Sequence, residues 1–100
     1  MAKPTKEQEN QIFEVFVNFY NKKLNEDQFI KKLRAIENKF NTKTKSVWFR
    51  FFSNDTAATT VSDIERDLNT IKNCFQDNRQ YILDKIEIAV TENSLQVYYS

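Results

Sequence analysis

Apolar residues recur with helical spacing through the first forty positions. They run 12-16-20-24 and 13-17-20-24 through Ile12, Phe13, Phe16, Val17, Tyr20 and Leu24, with Val15 and Phe19 between. Steps of three and four put such residues on one side of a helix, and this stripe is wide enough to be contacted on more than one side. So wide a stripe also suits an oligomer interface, so a homodimer through the 7–24 helix is one expectation. Thr5 followed by Gln8 is a capping-box pattern with Pro4 just outside it, which starts the helix there. Asn21-Lys22-Lys23-Leu24-Asn25 breaks it. Asn25 and Gln28 repeat the capping pattern, and Glu26 and Asp27 load a first turn where the helix dipole favours acids. Phe29, Leu33, Ile36 and Phe40 then form a single clean stripe. The two segments predict an antiparallel helical hairpin over 5–40, with Asn41 as its last cap.

After that the period falls to two. The octet Lys45-Ser46-Val47-Trp48-Phe49-Arg50-Phe51-Phe52 holds the only tryptophan and three of the nine phenylalanines. Alternation predicts a strand with Val47, Phe49 and Phe51 on one face and Ser46, Trp48, Arg50 and Phe52 on the other. The first face is purely apolar; the second has an arginine in its middle. Ser53 to Thr60 is small and polar, the pattern of a loop. A third helix follows, capped by Thr60 or by Ser62 with Glu65 three residues on. Its stripe is Val61, Ile64, Leu68, Ile71 and Phe75 with Cys74 beside it, and Ile82 continues the stripe unless Asp77-Asn78 ends it. Ile86, Ile88 and Val90 alternate with Lys85, Glu87 and Ala89, and Leu95, Val97 and Tyr99 with Gln96 and Tyr98. With Thr91-Glu92-Asn93-Ser94 between them, these predict a terminal β-hairpin.

The expected fold is therefore α+β, a single compact domain over 1–100. The N-terminal α-hairpin (5–40) precedes a β-α-β-β core (44–100) with a small three-stranded, mostly antiparallel sheet. Its apolar faces need covers. Helix three suits one, and the helical hairpin suits the other or a place beside helix three.

Composition narrows the chemistry. The chain has 100 residues, 40% hydrophobic and 14% aromatic, enough for one domain with a real core. It has no glycine, so phosphate-cradling loops, dinucleotide-binding turns and nucleophile elbows are excluded in their usual form. Turns and helix ends must use the next-best residue, and eleven asparagines are at hand. No histidine is present, which removes the usual general base and the commonest metal ligand. The lone Cys74 sits on an apolar stripe and reads as a small core residue; no internal disulfide or zinc cluster can form. Asp63 and Asp67 share a helix face, but first-turn acids complement the dipole. No cofactor is implied. No apolar run is long enough for a membrane, and the polar N-terminus has no signal-peptide pattern, so a cytoplasmic protein is expected. Richness in Lys, Asn, Ile and Phe suggests an AT-rich coding genome; separately, a phage or mobile element is a setting that fits a small stand-alone inhibitor.

Charge is uneven beneath a net +1. Residues 31–50 hold seven basic side chains (Lys31, Lys32, Arg34, Lys39, Lys43, Lys45, Arg50) against Glu37 alone. Such asymmetry points to an acidic or polyanionic partner, or to neutralisation within the fold. Trp48 and Phe52 beside these cations have the makings of a contact surface, unless the helical hairpin covers them. Arg50 has a candidate ion-pair partner in Glu87 of a neighbouring strand. Tyr98 on a terminal strand suits contact by strand addition. Together these predict a small non-enzymatic protein-binding module, an inhibitor, regulator or adaptor of a larger protein. Its expected contact residues are Trp48, Arg50 and Phe52, then Lys43, Lys45 and Tyr98. The alternative is nucleic-acid binding through the same face with Lys31, Lys32, Arg34 and Lys39, by stacking and phosphate contact.

Overall fold

The computed structural model describes residues 4–40, 47–51, 58–70 and 76–99. Among these, helices α1 (Lys6–Tyr20) and α2 (Glu26–Phe40) precede strands β1 (Val47–Phe51) and β2 (Thr59–Thr60). Helices α3 (Val61–Thr70) and α4 (Gln76–Thr91) and strand β3 (Leu95–Tyr99) follow. The class is α+β, with an N-terminal helical hairpin and a three-stranded antiparallel sheet ordered β2-β1-β3.

Local chemistry sets the hairpin. Thr5 caps α1 through a reciprocal box: the Gln8 N–H donates to Thr5 Oγ1 at 3.3 Å, and the Thr5 N–H to Gln8 Oε1 at 2.9 Å. Asn25 and Gln28 repeat the arrangement at α2, at 2.8 and 3.0 Å. Each box satisfies two of the orphan donors at a helix start. At the end of α1 the Lys22 N–H donates to the Phe19 carbonyl and the Lys23 N–H to the Asn18 carbonyl. That is the Schellman pattern, which needs a left-handed residue where glycine is usual. Without glycine, Lys22 takes it, at φ 63°. Among the described residues asparagine fills the corresponding role after α4, where Asn93 has φ 50°.

The apolar stripes meet in one core. Phe16, with no exposed surface, sits at its centre. Its ring meets Phe29 of α2 edge-on at 5.2 Å, and Phe49 and Phe51 of β1 at 5.6 and 6.0 Å. Phe19 stacks on Phe29 at 4.3 Å. Val47, Phe49 and Phe51 are each 1% exposed, so this is the inner face of the sheet. Val61, Ile64 and Leu68 of α3 and Ile82, Ile86 and Ala89 of α4 join the same cluster. Helices thus form one layer and the sheet the other.

Two predicted elements differ. Residues 85–90 are helical, so the order after α2 is β-β-α-α-β in place of β-α-β-β. Six residues of alternation are also compatible with a helix, and here burial follows the helical spacing of Ile82, Ile86 and Ala89. Lys85, expected on a strand, is 5% exposed and lies with its ammonium 5.6 Å from the Phe51 ring centre. The third strand comes instead from the end of the expected loop. Thr59 and Thr60 pair with Phe49 and Trp48, as suits two β-branched residues. Thr60, not Ser62, caps α3: its hydroxyl oxygen accepts from the Asp63 N–H at 3.2 Å, and its own N–H donates to Asp63 Oδ2 at 3.0 Å. Ile82 belongs to α4; Asn41, Ile71, Cys74 and Phe75 lie outside the described residues.

Candidate functional site

Register decides what shares a face with Trp48. Trp48 lies opposite Thr60 on one side and Tyr98 on the other, and Arg50 opposite Gln96. Cross-strand partners project to the same side of a sheet. Thr60, Trp48, Tyr98, Arg50 and Gln96 therefore make up the outer face, and the helical hairpin covers the inner one. The expectation that the hairpin covers Trp48 fails because Phe16 packs against Phe49 and Phe51.

Trp48 and Arg50 are half-buried, and Tyr98 is 7% exposed. The Arg50 guanidinium leans from the central strand across Tyr98, with Cζ 5.7 Å from the ring centre. Three polar atoms here are buried and have no hydrogen-bond partner among the described residues: Trp48 Nε1, Arg50 Nε and Tyr98 Oη. All three carry a hydrogen to donate. Such an atom costs about 1–3 kcal/mol when left without a partner, and a charged group more. Glu87 does not supply the acceptor. It is exposed on α4, on the helical side of the molecule, and Arg50 has neutral Gln96 as its neighbour instead.

Other charges are spent within the fold. Arg34 ties α2 to α3, donating to Ser62 Oγ at 3.1 Å and meeting Glu65 at 3.4 Å and Glu37 at 3.3 Å. Glu37 in turn accepts from the Val47 N–H at 3.3 Å, which fixes the start of β1. Asp63 ionises below its ordinary 3.8, chiefly because the Thr60 N–H donates to it; partial burial opposes this, and the Thr60 hydroxyl and Arg66 assist. Its carboxylate is committed to a cap.

Of the sequence-predicted contact residues, Trp48, Arg50 and Tyr98 come together, while Lys43, Lys45 and Phe52 lie outside the described residues. Lys31, Lys32 and Lys39 are exposed on α2, in the helical layer, and Arg34 is held by its acids. These α2 residues do not join the outer face. A depression of about 490 Å³, which periodicity does not reveal, lies between α4 and the α1–α2 turn. Phe19, Tyr20, Leu24, Leu83 and Ile86 line it, with Lys22, Glu26 and Glu87 among its polar residues; Tyr20 is 40% exposed. No helix among the described residues is long and apolar enough to cross a membrane, and no group of three or more His, Cys, Asp or Glu there is placed to hold a metal.

The chain matches no protein-family model, no curated protein and no solved structure with which it was compared.

Proposed function

We propose that this chain acts by non-covalent contact with another protein, as an inhibitor, regulator or adaptor, and that the outer face around Trp48, Arg50 and Tyr98 is its contact surface. The supporting observation is the set of three buried donors without acceptors. Elsewhere the chain pairs its polar groups closely: two capping boxes, the Thr60–Asp63 cap and the Arg34–Glu37–Val47 chain. Unsatisfied groups gathered on one sheet face fit a surface whose partner completes it. Among the described residues the carboxylate whose ionisation is displaced, Asp63, serves a helix end. The setting we propose is the cytoplasm. A phage or mobile-element origin would suit a small inhibitor of this kind, and no residue of the chain carries it.

The test is affinity capture from native lysate with wild-type chain and with Trp48→Ala and Tyr98→Phe. A protein retained by wild type and lost by both variants, with their circular dichroism unchanged, supports the reading. Equal retention by all three refutes it. The nucleic-acid alternative needs the sheet face and the α2 lysines to act together, and they lie in different layers. A mobility shift with oligonucleotides at low salt, falling steeply as salt rises, would restore it. Self-association through α1 is favoured only by exposed Tyr20, and sedimentation at several concentrations decides it.

A further inference from the structure

We infer that the outer face is a carboxylate receptor, and that its occupant is an extended acidic segment of the partner protein laid along β3. This rests on the contact reading above and specifies its chemistry. Two of the unpaired atoms, the Trp48 indole N–H and the Arg50 guanidinium N–H, can only donate, and the Tyr98 phenol can donate as well as accept. An occupant that offered only donors would leave the indole and guanidinium N–H groups unsatisfied. One that offers a carboxylate supplies two acceptor oxygens, and a guanidinium binds such a group through parallel N–H bonds. Arg50 makes no ion pair among the described residues, and a carboxylate of the occupant would give it one.

Position supplies the segment's form. β3 is the end strand of the sheet, pairing with β1 alone among the described residues. An added strand would lie about 4.8 Å beyond it, its alternate side chains over the outer face. Arg50 belongs to the central strand, but its guanidinium lies over Tyr98 on β3. The cation is thereby carried toward the free edge. A glutamate on the added strand opposite Tyr98 reaches it; a residue one place along points to the other face. Backbone pairing supplies affinity and the acid supplies selectivity. A polyphosphate strand fits less well, because it calls for several cations and this face offers one.

Trp48 is the only tryptophan, so its fluorescence reports this site directly. The probes are a short peptide alternating glutamate with valine, the same peptide with glutamine for glutamate, and oligodeoxythymidylate. The expected result is a saturable change with the glutamate peptide, weaker by about tenfold or more for the glutamine peptide and for Arg50→Gln. Arg50→Lys, which keeps the charge and loses the fork, should fall between. Circular dichroism of each variant checks that it is folded. Equal response to both peptides, no response to either, or a response to oligodeoxythymidylate alone would overturn the inference. The two claims also separate in the capture experiment. A partner lost by Trp48→Ala but kept by Arg50→Gln, and not displaced by the glutamate peptide, sinks the carboxylate receptor and leaves the contact surface standing. A partner indifferent to all these substitutions sinks both.

Discussion

Removing the Tyr98 hydroxyl should make the free chain more stable. Tyrosine to phenylalanine keeps the ring, its burial and its packing beneath Arg50, and deletes one oxygen. That oxygen is buried and has no partner among the described residues. A buried hydroxyl loses its bonds to water on folding, and without a replacement it costs about 1–3 kcal/mol. Against this, phenylalanine offers the Arg50 cation a similar face, so that contact changes by only a fraction of its roughly 0.5–1 kcal/mol. The expected net gain for Tyr98→Phe is about 1 kcal/mol. For a domain of this size that is a rise in Tm of about 4–8 °C. Urea unfolding followed by Trp48 fluorescence and by circular dichroism measures it. A higher midpoint with an unchanged slope is a change in stability and not in the denatured state.

The opposite result would be as informative. Tyr98→Phe less stable than wild type by about 1 kcal/mol means that the hydroxyl has an acceptor in the free protein. The donor cluster would then be closed, and the case for an incomplete surface would go with it. The contact reading requires the two effects to diverge: the variant gains stability and loses its partner. Such opposition between stability and activity is common where a binding site holds groups that only the partner satisfies.

Three further outcomes test the fold itself. Phe16→Ala should cost about 3–5 kcal/mol in urea unfolding, because its ring bridges α1, α2 and β1, and a loss below about 1 kcal/mol would mean that Phe16 does not hold the layers together. Lys22→Gly should stabilise by a few tenths to about 1 kcal/mol: the left-handed position costs a side-chain-bearing residue about 1–2 kcal/mol, and the freer unfolded glycine returns about 0.5–1; Lys22→Val should do the reverse, and thermal melts of both decide. Asp63 ionises below 3.8 in the fold, so the folded chain binds fewer protons than the unfolded one in that range and stability rises with pH. Its contribution is present above pH 3.8 and is lost as pH falls through the folded value, so Asp63→Asn should be less stable near neutrality and converge on wild type in acid. A gap independent of pH would remove Asp63 as its source.

The N-terminal half is legible in the sequence because its signals are local. Capping boxes at Thr5 and Asn25 use residues three apart, and the stripes of α1 and α2 run over fifteen residues each, long enough for the period to be unambiguous. The inner face of β1 is legible for the same reason. The Lys22 cap is less so, since nothing local marks a lysine for a left-handed turn; it takes the position because the Schellman bonds require one and glycine is absent.

The outer face depends on a relation that local pattern does not contain. Alternation within β1 puts Trp48 and Arg50 on one side, but which groups lie across from them depends on which strand is the neighbour. Read as a strand, residues 85–90 bring Glu87 within reach of Arg50, and the face closes on an internal ion pair. Folded as α4, they bury Ile82, Ile86 and Ala89 in the helical layer and leave Glu87 exposed there. The place beside β1 passes to β3, which brings Tyr98 and neutral Gln96. One change of element thus turns an arginine with an acid into an arginine over a phenol, with no carboxylate among the described residues of that face. The acid that the sheet does not provide is the chemistry expected of the partner.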